Sequence, residues 1–160
     1  SGYLRGIRAV IDGREIKLGE RTAFKRIEMP LGMNWLKEQV TSQTEEKGAE
    51  TIAHLRVQLG FDKPPLDVSL RIKSDRPFSV NKANVQYQHK KNRATIRWAH
   101  NPGQSLMSEM DIKLPRGAHL DAEISATFLD VPVLVACEGK DIHFIQRAEI
   151  KRKVGILGRV

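Results

Sequence analysis

One serine–lysine pair, five scattered histidines and one basic stretch are the places where this chain could do chemistry. Ser79-Val80-Asn81-Lys82 has the Ser-x-x-Lys spacing in which a lysine can activate a serine hydroxyl. That arrangement works from the start of a helix with companion motifs elsewhere, and the sequence supplies neither. The histidines, at 54, 89, 100, 119 and 143, form no His-x-His and no His-Glu-x-x-His. Cys137 is alone, so no thiolate pair can contribute to the ligands of structural zinc, and no intrachain disulfide can form. It lies in the apolar run Val133-Leu134-Val135-Ala136-Cys137 beside Glu138, the setting of a buried, inert thiol. Gly-x-Ser-x-Gly, Gly-x-x-x-x-Gly-Lys and Gly-x-Gly-x-x-Gly are all missing. The residues therefore name no catalytic group, no metal ligand and no cofactor, and an enzyme is the least supported class.

The basic stretch carries more. The chain has a net charge of +8, and nearly all of the excess falls between Val68 and His100. Arg71, Lys73, Arg76, Lys82, Lys90, Lys91, Arg93 and Arg97 are opposed there by Asp75 alone. A second, short run is Lys151-Arg152-Lys153. Arginine and lysine neutralise phosphates, and aromatic side chains can stack on exposed bases. On a hairpin over residues 84–100, Tyr87, His89, Arg93 and Arg97 are expected to share an outward face, with Lys90 and Lys91 at the tip. Arg71 and Lys73 alternate with apolar Leu70 and Ile72 on the preceding strand. The candidate anion-binding set is thus Arg71, Lys73, Lys90, Lys91, Arg93 and Arg97. The plainer alternative is a solvated sheet face whose lysines discourage edge pairing.

The elements that position these residues read as strands. Ile7, Ala9 and Ile11 alternate, and Asp12-Gly13 turns the chain into Glu15-Ile16-Lys17-Leu18, a hairpin. Ala23–Met29 reads as a strand stopped by Pro30. Residues 33–47 read as one helix, with Met33, Leu36 and Val40 spaced 3 and 4 apart, Asn34 as cap and Gly48 as stop. Thr41, Ser42 and Thr44 weaken that helix, and Trp35 is expected to pack it on a sheet. Thr51–Phe61 fits either period, with the strand favoured because Ala53, Leu55, Val57, Leu59 and Phe61 alternate. Val68–Lys73, Asn84–His89, Arg93–His100 and Met110–Leu114 read as strands. Leu120–Phe128 is the clearest one, with five apolar residues in strict period two. Val131–Cys137 is apolar on both faces, as in a central strand, and Glu138-Gly139-Lys140 turns it into Asp141–Ile150.

The fold class is mainly β: an antiparallel sandwich-like or barrel-like sheet of about nine strands with one packed α-helix over 33–47. Residues 1–160 form a single β-rich domain. Apolar residues make up 40% of the chain, enough for a packed core and too many for a disordered segment. The longest apolar run, Val131–Cys137, is far short of a transmembrane helix. Ser1-Gly2 reads as a cloning remnant, with native sequence expected from Tyr3. The expected core is Ile96, Trp98, Leu120, Ile124, Phe128, Val133, Val135, Ile142 and Phe144. Two functions fit: a non-catalytic protein interaction or assembly module, with a protein partner or self-association, or a binding domain for nucleic acid, acidic glycan or phospholipid headgroups through residues 68–100.

Overall fold

Two antiparallel sheets close on each other across one apolar layer. A computed structural model describes residues 8–11, 14–17, 35–137 and 140–158, and for parts of the first two and last two strands only the backbone. The strands are β1 (Arg8–Ile11), β2 (Arg14–Lys17), β3 (Leu36–Lys47), β4 (Glu50–Phe61), β5 (Asp67–Ser74), β6 (Ser79–Ala83), β7 (Gln88–Lys90), β8 (Arg93–Trp98), β9 (Ser105–Pro115), β10 (Leu120–Cys137) and β11 (Lys140–Leu157). One sheet runs β7-β8-β5-β10-β11, and the β1–β2 hairpin extends it by pairing with Val133–Ala136 of β10. The other runs β3-β4-β9-β6. The sheets form a sandwich and not a closed barrel. Among the described residues no helix is long and apolar enough to cross a membrane.

Period-two alternation builds the core. Ala53, Leu55, Val57, Leu59 and Phe61 of β4 are buried, as are Met110, Ile112 and Leu114 of β9. They meet Val68, Leu70 and Ile72 of β5, Ala94 and Ile96 of β8, and Leu120, Ala122, Ile124, Ala126 and Phe128 of β10. Of the expected core, Ile96, Leu120, Ile124 and Phe128 are buried and Trp98 is partly buried against it. The side chains of Val133, Val135, Ile142 and Phe144 lie outside the described residues, as do the Asp12-Gly13 turn, Ala23–Met29 and residues 33–34.

The helix expected over 33–47 is a strand. Leu36–Lys47 pairs with β4 in unbroken register, from Leu36 opposite Phe61 to Lys47 opposite Glu50. The apolar positions that suggested a helix were few, and the run Val40-Thr41-Ser42-Gln43-Thr44 prefers extended backbone. Gly48 misled for a physical reason. A positive φ ends a helix, but it also opens a two-residue hairpin turn, and Gly48 (φ 61°) does the second. Trp35 is buried as expected, against Phe128 and without a helix beneath it.

The remaining differences are of extent and continuity. The strand expected over Asn84–His89 begins only at Gln88, as β7. Leu120–Phe128 and Val131–Cys137 form one strand, with a register irregularity between Phe128 and Val131. The stretch containing Ser79 and Lys82 is β6 and opens no helix, so it lacks the helical setting of a Ser-x-x-Lys site.

One polar clasp ties the sheets at the β3–β11 side. Arg152 of β11 donates from Nη1 to the Leu36 carbonyl (2.9 Å) and to the Glu38 carboxylate. Both charged side chains are about three-quarters covered, so solvent screens them less than a surface pair. We expect Arg152→Ala to destabilise by about 1.5–3 kcal/mol, the range for hydrogen bonds to charged groups. Urea unfolding checks it, and an unmoved midpoint would reduce the clasp to an ordinary surface ion pair.

Candidate functional site

The alternation that buries Leu70, Ile72, Ala94 and Ile96 turns their neighbours outward. Register then sets which cations meet. Lys90 of β7 lies opposite Arg93 of β8, which lies opposite Lys73 of β5, which lies opposite Asp121 of β10. The next row is Gln88, Thr95, Arg71 and Glu123, continuing to Lys153 of β11. The row after that holds Arg97, Ser69, Ser125 and Lys151. The structure thus places Arg71, Lys73, Lys90, Arg93 and Arg97 on one sheet face, with Lys91 in the turn at its corner.

Two placements differ from the sequence expectation. His89 pairs with buried Ala94 and so takes the inner parity, although it remains exposed, its ring stacked on buried Phe78 at 4.9 Å. Tyr87 precedes β7 and is 39% exposed, but is not part of the outward rows. The face holds no aromatic residue in these rows. Sequence reasoning also missed that Lys151 and Lys153 join it, because only β10–β11 pairing brings residue 153 beside residue 123. The signal that could have found them is the alternation of Lys151 and Lys153 with Ile150 and Val154.

The corner is firmly built. Ser74 N–H donates to the Asn92 carbonyl and Asn92 Nδ2 donates back to the Ser74 carbonyl, each at 3.0 Å. Phe78 N–H (3.1 Å) and His89 Nε2 (3.0 Å) both donate to the Lys91 carbonyl, which assigns the Nε2–H form to His89. These bonds hold Lys91 at φ 52°, a left-handed conformation that glycine adopts freely and lysine does not.

The two outward faces of the sandwich differ in how their charges are met. On the β3-β4-β9-β6 sheet, Arg56 pairs with Glu109 (3.6 Å), Lys113 with Glu50 (3.4 Å) and Lys37 with Asp62 (4.0 Å). On the opposite sheet, Arg71 reaches Glu123 (3.9 Å) and Lys151 reaches Glu149 (3.9 Å). Lys73, Lys90, Lys91, Arg93, Arg97 and Lys153 make no ion pair among the described residues. Like charges directly opposite one another cost stability, so the Lys90–Arg93–Lys73 row is unfavourable on its own. Edge protection accounts for Lys90 and Lys91 on the short edge strand. It accounts also for Arg97, which lies beyond the end of β7, but not for Lys73 and Arg93, which are paired on both sides.

His54 stands on the paired face. His54 Nδ1 meets Asp111 Oδ1 at 2.7 Å, and Nε2 lies 3.6 Å from Glu45 Oε1, so the imidazole bridges β3, β4 and β9. The hydrogen bond to Asp111 raises its pKa above the ordinary 6.5, with the charges of Asp111 and Glu45 adding and desolvation opposing. A raised folded pKa stabilises at pH values below the unfolded pKa, and that gain is lost as pH rises through the folded value. The thermal midpoint of His54→Gln should therefore fall further below the parent at about pH 5 than at about pH 9. Equal gaps at the two pH values would mean that the bridge does not form in solution.

No family model matches the chain, and no curated protein matches it. Among solved structures it is similar to the chitin-binding domain of a hyperthermophilic chitinase from Pyrococcus furiosus. The TM-score is 0.38 and the identity 15%, over 66% of this chain and 91% of that one. That likeness decides nothing about this chain.

Proposed function

We propose that the protein is a non-catalytic binding module that takes a linear polyanion on the outer face of the β7-β8-β5-β10-β11 sheet. The observation that carries this is the cluster of Lys73, Lys90, Lys91, Arg93 and Arg97 without counter-ions among the described residues, set against a second sheet face whose cations are largely paired. An anionic polymer relieves the repulsion in the Lys90–Arg93–Lys73 row and releases its own counterions on docking. With no aromatic residue in the outward rows, the face reads charge and does not stack bases. Asp121, Glu123 and Glu149 on the same sheet favour a narrow chain along β7 and β8 over a flat anionic membrane pressed across the whole face. The test is binding of the parent to heparin, a mixed-sequence duplex and a single-stranded oligonucleotide at several salt concentrations. The expected result is salt-sensitive binding without preference for the single strand. Negligible binding at low salt would retire the proposal.

A second reading, a protein interaction module, has one observation of its own. Among the described residues no strand pairs with the outer edge of β11.

A further inference from the structure

The sandwich protects its edges unequally. On one side, β7 has three residues, and β6 has five with a register irregularity between Val80 and Lys82. Short and irregular edges discourage a foreign strand. On the other side, the start of β3 is covered. Trp35 C=O accepts from Asp62 N–H, so the Leu36 carbonyl points to the free edge, where Arg152 caps it. Among the described residues no short strand, irregularity or cap protects the edge of β11 between Ala148 and Gly155, where its pairing with β10 is regular. Its guard is the lysine pair Lys151 and Lys153, which turns away a basic strand and not an acidic one.

Which backbone groups of β11 are available follows from a single bond. Thr127 C=O accepts from Leu66 N–H (2.7 Å) on the β5 side, so odd-numbered residues of β10 face β5 and even-numbered ones face β11. Ile150, Arg152 and Val154 are therefore the residues bonded to Ala126, Ile124 and Ala122. The N–H and C=O groups of Glu149, Lys151 and Lys153 point to the open edge, and their side chains lie on the exposed outer face. On the inner side Ala148, Val154 and Val40 are only partly buried.

We infer that β11 accepts an extended segment of a partner polypeptide as an added strand, with acidic side chains opposite Lys151 and Lys153 and apolar ones over Ala148 and Val154. The inference rests on the protein-interaction reading and is independent of anion binding at the Lys90–Arg93 corner. Open main-chain groups give affinity and alternate side chains give specificity in this mode. The two lysines reject a basic strand and accept an acidic one. A second copy of this chain is the poorer occupant: β11 against β11 brings lysines together, and β3 turns Ser42, Thr44 and Glu46 where apolar residues are needed.

The experiment uses the full chain and the synthetic peptide Val-Glu-Val-Glu-Val-Lys-Val, with a control in which lysine replaces both glutamates. Amide hydrogen exchange should slow at Glu149, Lys151 and Lys153 with the acidic peptide and not with the control. Lys153→Pro removes an N–H that faces away from β10, so it should keep the fold and weaken peptide binding about tenfold or more. Lys151→Glu with Lys153→Glu should exchange the preference between the two peptides. Unchanged exchange at these amides in the parent, at a peptide excess of roughly millimolar, would overturn the inference whatever the variants do. So would protection of the same amides by self-association without peptide. Peptide protection of these amides should survive when Lys90, Lys91 and Arg93 are changed together to serine, so failure of one site does not imply failure of the other.

Discussion

Replacing Phe128 with alanine should destabilise the protein by about 3–5 kcal/mol, the usual cost of emptying a large aromatic site. Phe128 is 1% exposed, and its ring meets Trp35 edge-on at 5.0 Å and Phe61 at 6.0 Å. Three elements lose contact together: β10, β4 and the entry to β3. The two edge-to-face pairs add about 0.5–1.5 kcal/mol each beyond area burial, which argues for the upper part of the range. A domain's whole margin is about 5–15 kcal/mol, so the variant should lose a large share of it. Urea unfolding followed by tryptophan emission is a direct readout, because Trp35 packs on the deleted ring. Phe128→Leu should cost less, since it refills most of the volume. A parent-like midpoint for Phe128→Ala would mean that this end of the sandwich is not closed in solution.

The parts of the fold legible in the sequence were those where apolar side chains alternate. Thr51–Phe61 buries every second residue, and Leu120–Phe128 does the same with Thr127 buried in addition. Residues 36–47 were misread because β3 is an edge strand whose side chains beyond Val40 are exposed on both faces. With no buried face the residues carry no period, and the turn glycine then decided wrongly. β6 escaped notice for a similar reason: five residues, a register irregularity and mostly solvent-facing side chains leave nothing to count.

The candidate site was half legible. Arg71 and Lys73 alternate with core residues and could be set outward from their parity alone. His89 could not, because β7 has only three residues and its phase comes from pairing with β8. Nor could the imbalance of counter-ions be seen. It depends on which acids fall opposite which bases: Glu109 opposite Arg56 on one sheet, but Arg93 between Lys90 and Lys73 on the other. Sequence distance hides that information, and register supplies it.

The sharpest test of the basic corner comes from Lys91, where stability and binding should respond in opposite directions. A non-glycine residue in the left-handed region costs about 1–2 kcal/mol, and Lys91 is held there at φ 52° by two donors to its carbonyl. Lys91→Gly should therefore raise the unfolding midpoint, offset in part by the greater freedom of glycine in the unfolded chain. If the corner binds a polyanion, the same change should weaken binding, because one cation is lost. Changing Lys90, Lys91 and Arg93 together to serine removes up to three contacts without touching buried Ala94 or Ile96. On duplex DNA the slope of log affinity against log salt should flatten by about 0.9 per lost phosphate contact, or about 2.7 for the triple variant. Affinity at low salt should fall steeply while the unfolding midpoint does not fall, because the repulsion in the Lys90–Arg93–Lys73 row is relieved. A triple variant with the parent's slope would return these side chains to edge protection. A Lys91→Gly protein that gains stability and keeps full affinity would remove Lys91 from the site, and the left-handed lysine would then be strain with no functional return.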